Sequence, residues 1–176
     1  MSRDFLSICR SLPISSKIII VGPTDTSIIQ EAQEEYPDLN ITFLGKIECV
    51  DEVLKKTDIF LYPLRRGHYG TGELALVEAM AMGLPVVAFC NEAESRLIQD
   101  KVTGFICKDS DEMKKVISEL SDNQELRHQI GDAAKEVIRQ SYSSQKFKEK
   151  LSEIYSEVIK KVHSLSSRKR KSYKRL

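Results

Sequence analysis

Tyr62-Pro63-Leu64-Arg65-Arg66-Gly67-His68-Tyr69-Gly70-Thr71-Gly72-Glu73-Leu74-Ala75-Leu76-Val77-Glu78-Ala79-Met80-Ala81-Met82-Gly83-Leu84-Pro85-Val86-Val87-Ala88-Phe89 reads as the end of one strand, a glycine-rich loop, a helix and the next strand. Gly67, Gly70 and Gly72 permit positive φ and close backbone approach. A helix opening near Thr71 points unpaired N–H groups and a partial positive charge out of that loop. A phosphate placed there is stabilised without any lysine. Gly83 followed by Leu84-Pro85 supplies a helix stop and a fixed entry to the next strand. A flexible turn before a helix would carry the same glycines, so the loop by itself is weak evidence for a ligand.

Outward from this unit, five short β-branched or aromatic runs stand out: Lys17 to Val21, Ile41 to Leu44, Ile59 to Tyr62, Val86 to Phe89 and Gly104 to Cys107. Nearly continuous rather than alternating, they read as strands buried on both faces. Helical segments lie between them, with start signals at Ser27 followed by Gln30, at Asp51, at Thr71, and at Asn91 followed by Glu94. Strand alternating with helix predicts an α/β fold, a Rossmann-like parallel sheet with flanking helices. Right-handed crossovers then place the ligand crevice at the carboxyl ends of the strands. After Cys107 the pattern becomes helical: one helix opens at Asp109 with Glu112, and two more span 123–140 and 144–163. They read as cover for the sheet. With no repeat or linker, the chain divides into a Rossmann-like α/β domain at 1–163 and a basic, disordered tail at 164–176.

The composition excludes several classes. At 176 residues, 41% hydrophobic and 30% charged, the chain is long enough for a substantial core and too apolar for disorder. Its longest apolar runs fall far short of the roughly 18 residues of a membrane-spanning helix. Met1 to Arg10 has no signal-peptide pattern. Cys9, Cys49, Cys90 and Cys107 form no Cys-x-x-Cys pair and read as reduced thiols of a cytoplasmic protein. The formal charge of +1 hides an asymmetry, because Arg168, Lys169, Arg170, Lys171, Lys174 and Arg175 crowd the last nine residues and leave residues 1–167 net negative. An acidic body with a basic tail is not a nucleic-acid-binding face. No cluster has metal-ligand spacing, and no Ser-His-Asp order suggests hydrolysis. His128 and His163 read as surface residues, while His68, inside the glycine loop, is within reach of a ligand.

Glu78 is the harder residue to dismiss, because it interrupts an apolar helix made for packing on a sheet. Burial there is costly unless hydroxyls or N–H groups satisfy the carboxylate. Ribose hydroxyls of a nucleotide, one or two turns along from a phosphate at the helix start, would do so.

Tyr62-Pro63, the glycine loop and Leu76-Val77-Glu78-Ala79-Met80-Ala81-Met82-Gly83-Leu84-Pro85-Val86-Val87-Ala88 resemble the donor-binding region of the group 1 (family 4) glycosyltransferases, which have the GT-B architecture of two facing Rossmann-like domains. Val21-Gly22, Phe43-Leu44-Gly45, Asp58-Ile59-Phe60-Leu61 and Thr103-Gly104-Phe105-Ile106 follow in the family's order, so the resemblance runs from about residue 4 to 160. It implies a retaining transfer from a nucleotide-sugar, a UDP- or GDP-sugar, with no cofactor or metal required. It also implies a site in which Glu78 binds the ribose, the backbone at Gly70, Thr71, Gly72, Glu73 and Leu74 binds the diphosphate, and Lys46 and Ile47 lie beside the base with Gly22 near by. This chain would then be the carboxyl-terminal, donor-holding domain. It would be inactive or very weak alone and dependent on an amino-terminal acceptor domain, a partner chain or self-association.

The sequence departs from the family's pattern at several positions. A glutamate usually stands eight residues before Glu78, where this chain has Gly70; Glu73 is either a displaced substitute, and so the one catalytic candidate, or an acid favoured in a first helical turn. Glu92-Ala93 replaces a Gly-Gly pair, and Arg96 stands where another glutamate usually follows; Glu92 and Glu94 read as completing a cap at Asn91. The family's first strand in this domain, with the arginine and lysine that neutralise the diphosphate, has no counterpart here, although Arg65 and Arg66 offer charge near by. In the family's sheet order that strand lies between those at 17–21 and 59–62, so either these two pair directly or a gap remains between them. The rival reading is a non-catalytic nucleotide-binding or scaffolding module derived from such a domain. The basic tail suits an anionic membrane surface, and hence a peripheral place at its inner face.

Overall fold

The computed structural model describes residues 4–65, 67–68 and 74–172, with side chains in the last helix described as far as residue 162. The chain divides into two compact units, residues 1–137 and 138–176.

The first unit opens with a short helix α1 (Phe5–Cys9), followed by β1 (Ile18–Val21), α2 (Thr26–Glu35), β2 (Ile41–Gly45), α3 (Asp51–Leu54), β3 (Phe60–Tyr62), α4 (Leu74–Ala81), β4 (Val86–Phe89), α5 (Glu92–Leu97), β5 (Phe105–Cys107), α6 (Ser110–Asp122) and most of α7 (Gln124–Ser141). Both sheets are parallel, as expected for βαβ connections: β1 pairs with β2, and β3, β4 and β5 form a second sheet in that order. This is the anticipated Rossmann-like α/β fold, in two pieces. Of the two outcomes left open for the strands at 17–21 and 59–62, the structure takes the gap.

Each sheet carries its own apolar cluster. Val87 and Phe89 of β4 pack with Phe105, Met113, Ile117, Leu120 and Ile130, with Ile59 and Leu61 at the margin. Ile18 and Ile20 of β1 pack with Phe5, Leu6, Cys9 and Ala32. Helix α1 joins the clusters, since Ile8 belongs to the first while Phe5, Leu6 and Cys9 belong to the second. Full burial of one such side chain contributes about 1.5–3 kcal/mol. Helices α1, α2 and α6 therefore share one face, whereas Val86 faces the other, beside Ile98 at the end of α5.

Only β4 is buried at every position. In β1, Ile18 and Ile20 are buried while Ile19 and Val21 are exposed, and β2 alternates in the same way. The expectation of strands covered on both faces is therefore corrected for β1 and β2: their residue types suit two-sided burial, but only one face is covered.

Local signals decide the helix ends. Asp25, not Ser27, caps α2, accepting the Ser27 N–H at 3.0 Å. At α6 Asp109 caps the helix as read, accepting from Glu112 N–H at 2.9 Å, while the Glu112 carboxylate accepts from Lys108 N–H at 2.8 Å, one residue before the cap. Gly83 has φ +78° and ends α4 in the left-handed conformation that its position required.

The second unit is the end of α7 and helix α8 (Ser144–Ser172). Helix α8 continues well past residue 163, into the segment read as a disordered tail, because no glycine or proline interrupts it and its Lys and Arg residues are good helix formers. No helix among the described residues is long and apolar enough to cross a membrane. Burial pushes the thiols of Cys9 and Cys107 up to about 12, so they stay protonated, and Cys49 and Cys90 are exposed; all four are free thiols.

Candidate functional site

Gly22, Lys46 and Ile47 fall just beyond the carboxyl ends of β1 and β2. Gly22 follows β1 with φ +108° and donates its N–H to Gly45 O at 2.7 Å. Gly45 ends β2 with φ +64°, and Lys46, exposed, and Ile47, half-buried, come next. The glycine-rich loop leaves β3 through a buried Pro63, and its Gly67 has φ +70°. Arg65 is exposed; Arg66, Gly70, Thr71, Gly72 and Glu73 lie outside the described residues.

Helix α4 buries Leu76, Ala79 and Met80 fully and exposes Leu74 and Glu78. This corrects the expectation that Glu78 is buried. At the 3.6-residue period it points away from the packed side chains, so its carboxylate remains in water and free to accept hydroxyl hydrogens.

The buried carboxylate is Glu94 instead. Its side chain is 0% exposed, and its Oε1 lies 2.7 Å from His68 Nε2, a histidine 13% exposed. The same oxygen accepts from Asn91 Nδ2 at 3.0 Å, while Oε2 is buried without a hydrogen-bond partner. Asn91 Oδ1 in turn accepts the N–H of Gly67 at 3.2 Å. Asn91 thus stands at the start of α5 but does not cap it with its side chain. Together Asn91 and Glu94 tie the glycine-rich loop after β3 to the segment after β4. The sequence places His68 only within reach of a ligand, and the structure makes it a partner of Glu94. Glu94 itself was read as a cap residue, although one signal was available: it sits four residues before Ile98, on the face that Ile98 buries. No group of three or more metal-binding side chains occurs among the described residues.

Residues 5–137 match the family described as glycosyl transferases group 1. Among curated proteins, the N-acetyl-alpha-D-glucosaminyl L-malate synthase of Bacillus anthracis is 28% identical over 125 residues, 69% of this chain and 32% of that protein. A protein named only as an uncharacterized glycosyltransferase, from Haemophilus influenzae, is 36% identical over 119 residues, 66% of this chain and 33% of its own length. This chain therefore spans about a third of the length of the curated relatives it matches. Among solved structures, Anabaena Alr3699/HepE in complex with UDP-glucose superposes with a TM-score of 0.73 at 20% identity, covering 86% of this chain and 44% of that one. At that identity the likeness shows the fold, the Rossmann-like half of a GT-B glycosyltransferase.

Proposed function

We propose, from the premise that this chain belongs to the group 1 glycosyl transferase family, that it forms the donor-binding half of a retaining transferase and holds a nucleotide-sugar at the carboxyl ends of its strands. The observation that carries the reading is Glu78, an exposed carboxylate on an otherwise apolar helix that leads out of a glycine-rich loop. An ionised carboxylate accepts from two ribose hydroxyls, and backbone N–H groups of the loop donate to the diphosphate oxygens. As the glycosidic bond breaks, negative charge grows on the departing phosphate, and N–H dipoles already aimed there stabilise that charge more than the ground state. UDP is the first donor nucleotide to test, because the structurally similar Alr3699/HepE was solved with UDP-glucose. Acceptor binding and full turnover belong to the whole enzyme, where a second domain or chain holds the acceptor beside the donor.

Calorimetric titration tests the site. UDP is expected to bind this chain, and Glu78→Gln to weaken binding by about 1.5–3 kcal/mol, the magnitude of a hydrogen bond to a charged group. Equal affinity in a folded variant removes Glu78 from the site.

Charge supports a place at a membrane surface. Helix α8 carries Arg168 to Lys171 in its last turns, and each basic residue near an anionic bilayer contributes about 1 kcal/mol. Co-sedimentation with phosphatidylserine vesicles is expected at low salt, to fall at high salt, and to be lost without residues 168–176. Binding that ignores salt or the tail counts against this placement.

A further inference from the structure

The segment after β4 does two things that the start of a helix ordinarily avoids. Asn91 stands in the extended conformation of an N-cap, at φ −120° and ψ 161°, yet its side chain accepts no N–H of α5. A capping Asn stabilises a helix, so α5 forgoes that gain. Glu94, one turn on, is the only charged side chain among the described residues that is fully withdrawn from water, and its Oε2 has no hydrogen-bond partner. Burying a carboxylate in this way is costly. Both departures serve contacts with the glycine-rich loop. The Asn91 oxygen accepts from Gly67 N–H at 3.2 Å, its amide nitrogen donates to Glu94 Oε1 at 3.0 Å, and that oxygen also meets His68 Nε2 at 2.7 Å. A carboxylate only accepts, so Asn91 turns its NH2 toward Glu94 and its oxygen toward Gly67, and His68 presents Nε2–H. Two successive residues of the loop are thus held by two side chains one helical turn apart.

The support behind these side chains is firm. Cys90 N–H extends the β4–β5 ladder by donating to Cys107 O at 2.9 Å, Asn91 N–H turns back onto Phe89 O at 2.9 Å, and Asn91 O accepts from Ser95 N–H at 3.0 Å. Gly67 lacks such support from packing, since no atom of the described residues lies within 4 Å of where its Cβ would stand. We propose that Asn91 and Glu94 are positioning residues for donor binding: they fix the backbone at Gly67 and the imidazole of His68, and through these the geometry in which the glycine-rich loop meets a nucleoside diphosphate. The proposal rests on the donor reading of this crevice. A cap is given up at one position and a carboxylate buried at the next because a loop fixed before the ligand arrives need not be ordered on binding. The pattern of donors and acceptors also defines a rescue. Asn91→Asp sets two carboxylates against each other and loses the bond between positions 91 and 94. Combining it with Glu94→Gln lets the new amide at 94 donate to the new carboxylate at 91 and accept from His68, while Gly67 N–H keeps its acceptor. All three hydrogen bonds return, with the polarity of the middle one reversed.

The test follows amide hydrogen exchange without nucleotide, and calorimetric titration with UDP, in the parent chain, Asn91→Ala, Asn91→Asp and the double variant. Both single variants are expected to speed exchange at Gly67 by about tenfold or more, the scale of one lost hydrogen bond, with the amides of Val87 and Ala88 unchanged. The double variant is expected to return Gly67 to within about threefold of the parent, a non-additivity that only coupled side chains give. Asn91→Ala is expected to weaken UDP binding by about tenfold. Gly67 exchange that is unaffected by Asn91→Ala, or as fast in the double variant as in Asn91→Asp, overturns the proposal. Should Asn91→Asp not fold, folding of the double variant is itself the rescue, and its failure to fold overturns the proposal. Unchanged UDP affinity in Asn91→Ala, with Gly67 freed, overturns the positioning role and leaves the donor reading standing, whereas a parent that binds no UDP overturns both.

Discussion

Gly131→Ala is expected to destabilise the first unit, by about 3 kcal/mol, although an alanine in mid-helix ordinarily gains about 1 kcal/mol over glycine. Two effects of opposite sign compete, and distance decides between them. A Cβ on Gly131 would stand 2.8 Å from the carbonyl carbon of Gly83 and closer still to its oxygen, with the Leu84 N–H group at 3.6 Å. These are backbone atoms of the turn that ends α4, where Gly83 already holds a left-handed φ of +78°, so none can swing aside as a side chain would. Helix α7 must withdraw, and with it Ile130, a member of the core cluster over β4. For a chain of this length the expected fall in thermal midpoint is roughly 6–12 °C. A midpoint at or above that of the parent would show that the two backbones do not meet this closely.

The second large effect is expected at Glu94. Glu94→Ala removes a fully buried side chain and with it the acceptor of His68 and Asn91, and a buried polar group left unsatisfied costs about 1–3 kcal/mol. Glu94→Gln keeps the shape and an acceptor oxygen for His68 and Asn91, and should cost nearer 1 kcal/mol. A general packing defect would also follow from Glu94→Ala, so the informative measurement is a double-mutant cycle with His68→Ala, read by chemical denaturation. Coupling of at least about 1 kcal/mol is expected for groups 2.7 Å apart. Additive losses would reduce the contact to coincidence. Because Asn91 and Glu94 tie the glycine loop to the segment after β4, Glu94→Ala should also weaken UDP binding more than Glu94→Gln does.

Much of the fold was legible in the chain's periodicity. The strands lie within a residue or so of the apolar runs, from Lys17 to Val21 read and Ile18–Val21 formed, to Gly104 to Cys107 read and Phe105–Cys107 formed. Gly83 ends its helix, Asp109 caps α6 through the Glu112 N–H, and the glycine loop leaves the carboxyl end of β3. These are local matters: a backbone dihedral, a cap or an alternation is settled by residues within four or five positions of each other, and residue types report it directly.

Burial was less legible, because it depends on what arrives from far along the chain. Ile19 and Val21 belong by residue type to a strand covered on both faces, yet they are exposed, since nothing described here packs on that side. Glu78 and Glu94 are both glutamates in short helices beside the same crevice, and the reading assigned burial to the wrong one. Residue type and spacing announced the β/α alternation and the family's donor-binding string. Only the tertiary structure decided which carboxylate is withdrawn from water and which strand edges lack a partner, because a side chain's surroundings are made by segments that sequence spacing does not bring together.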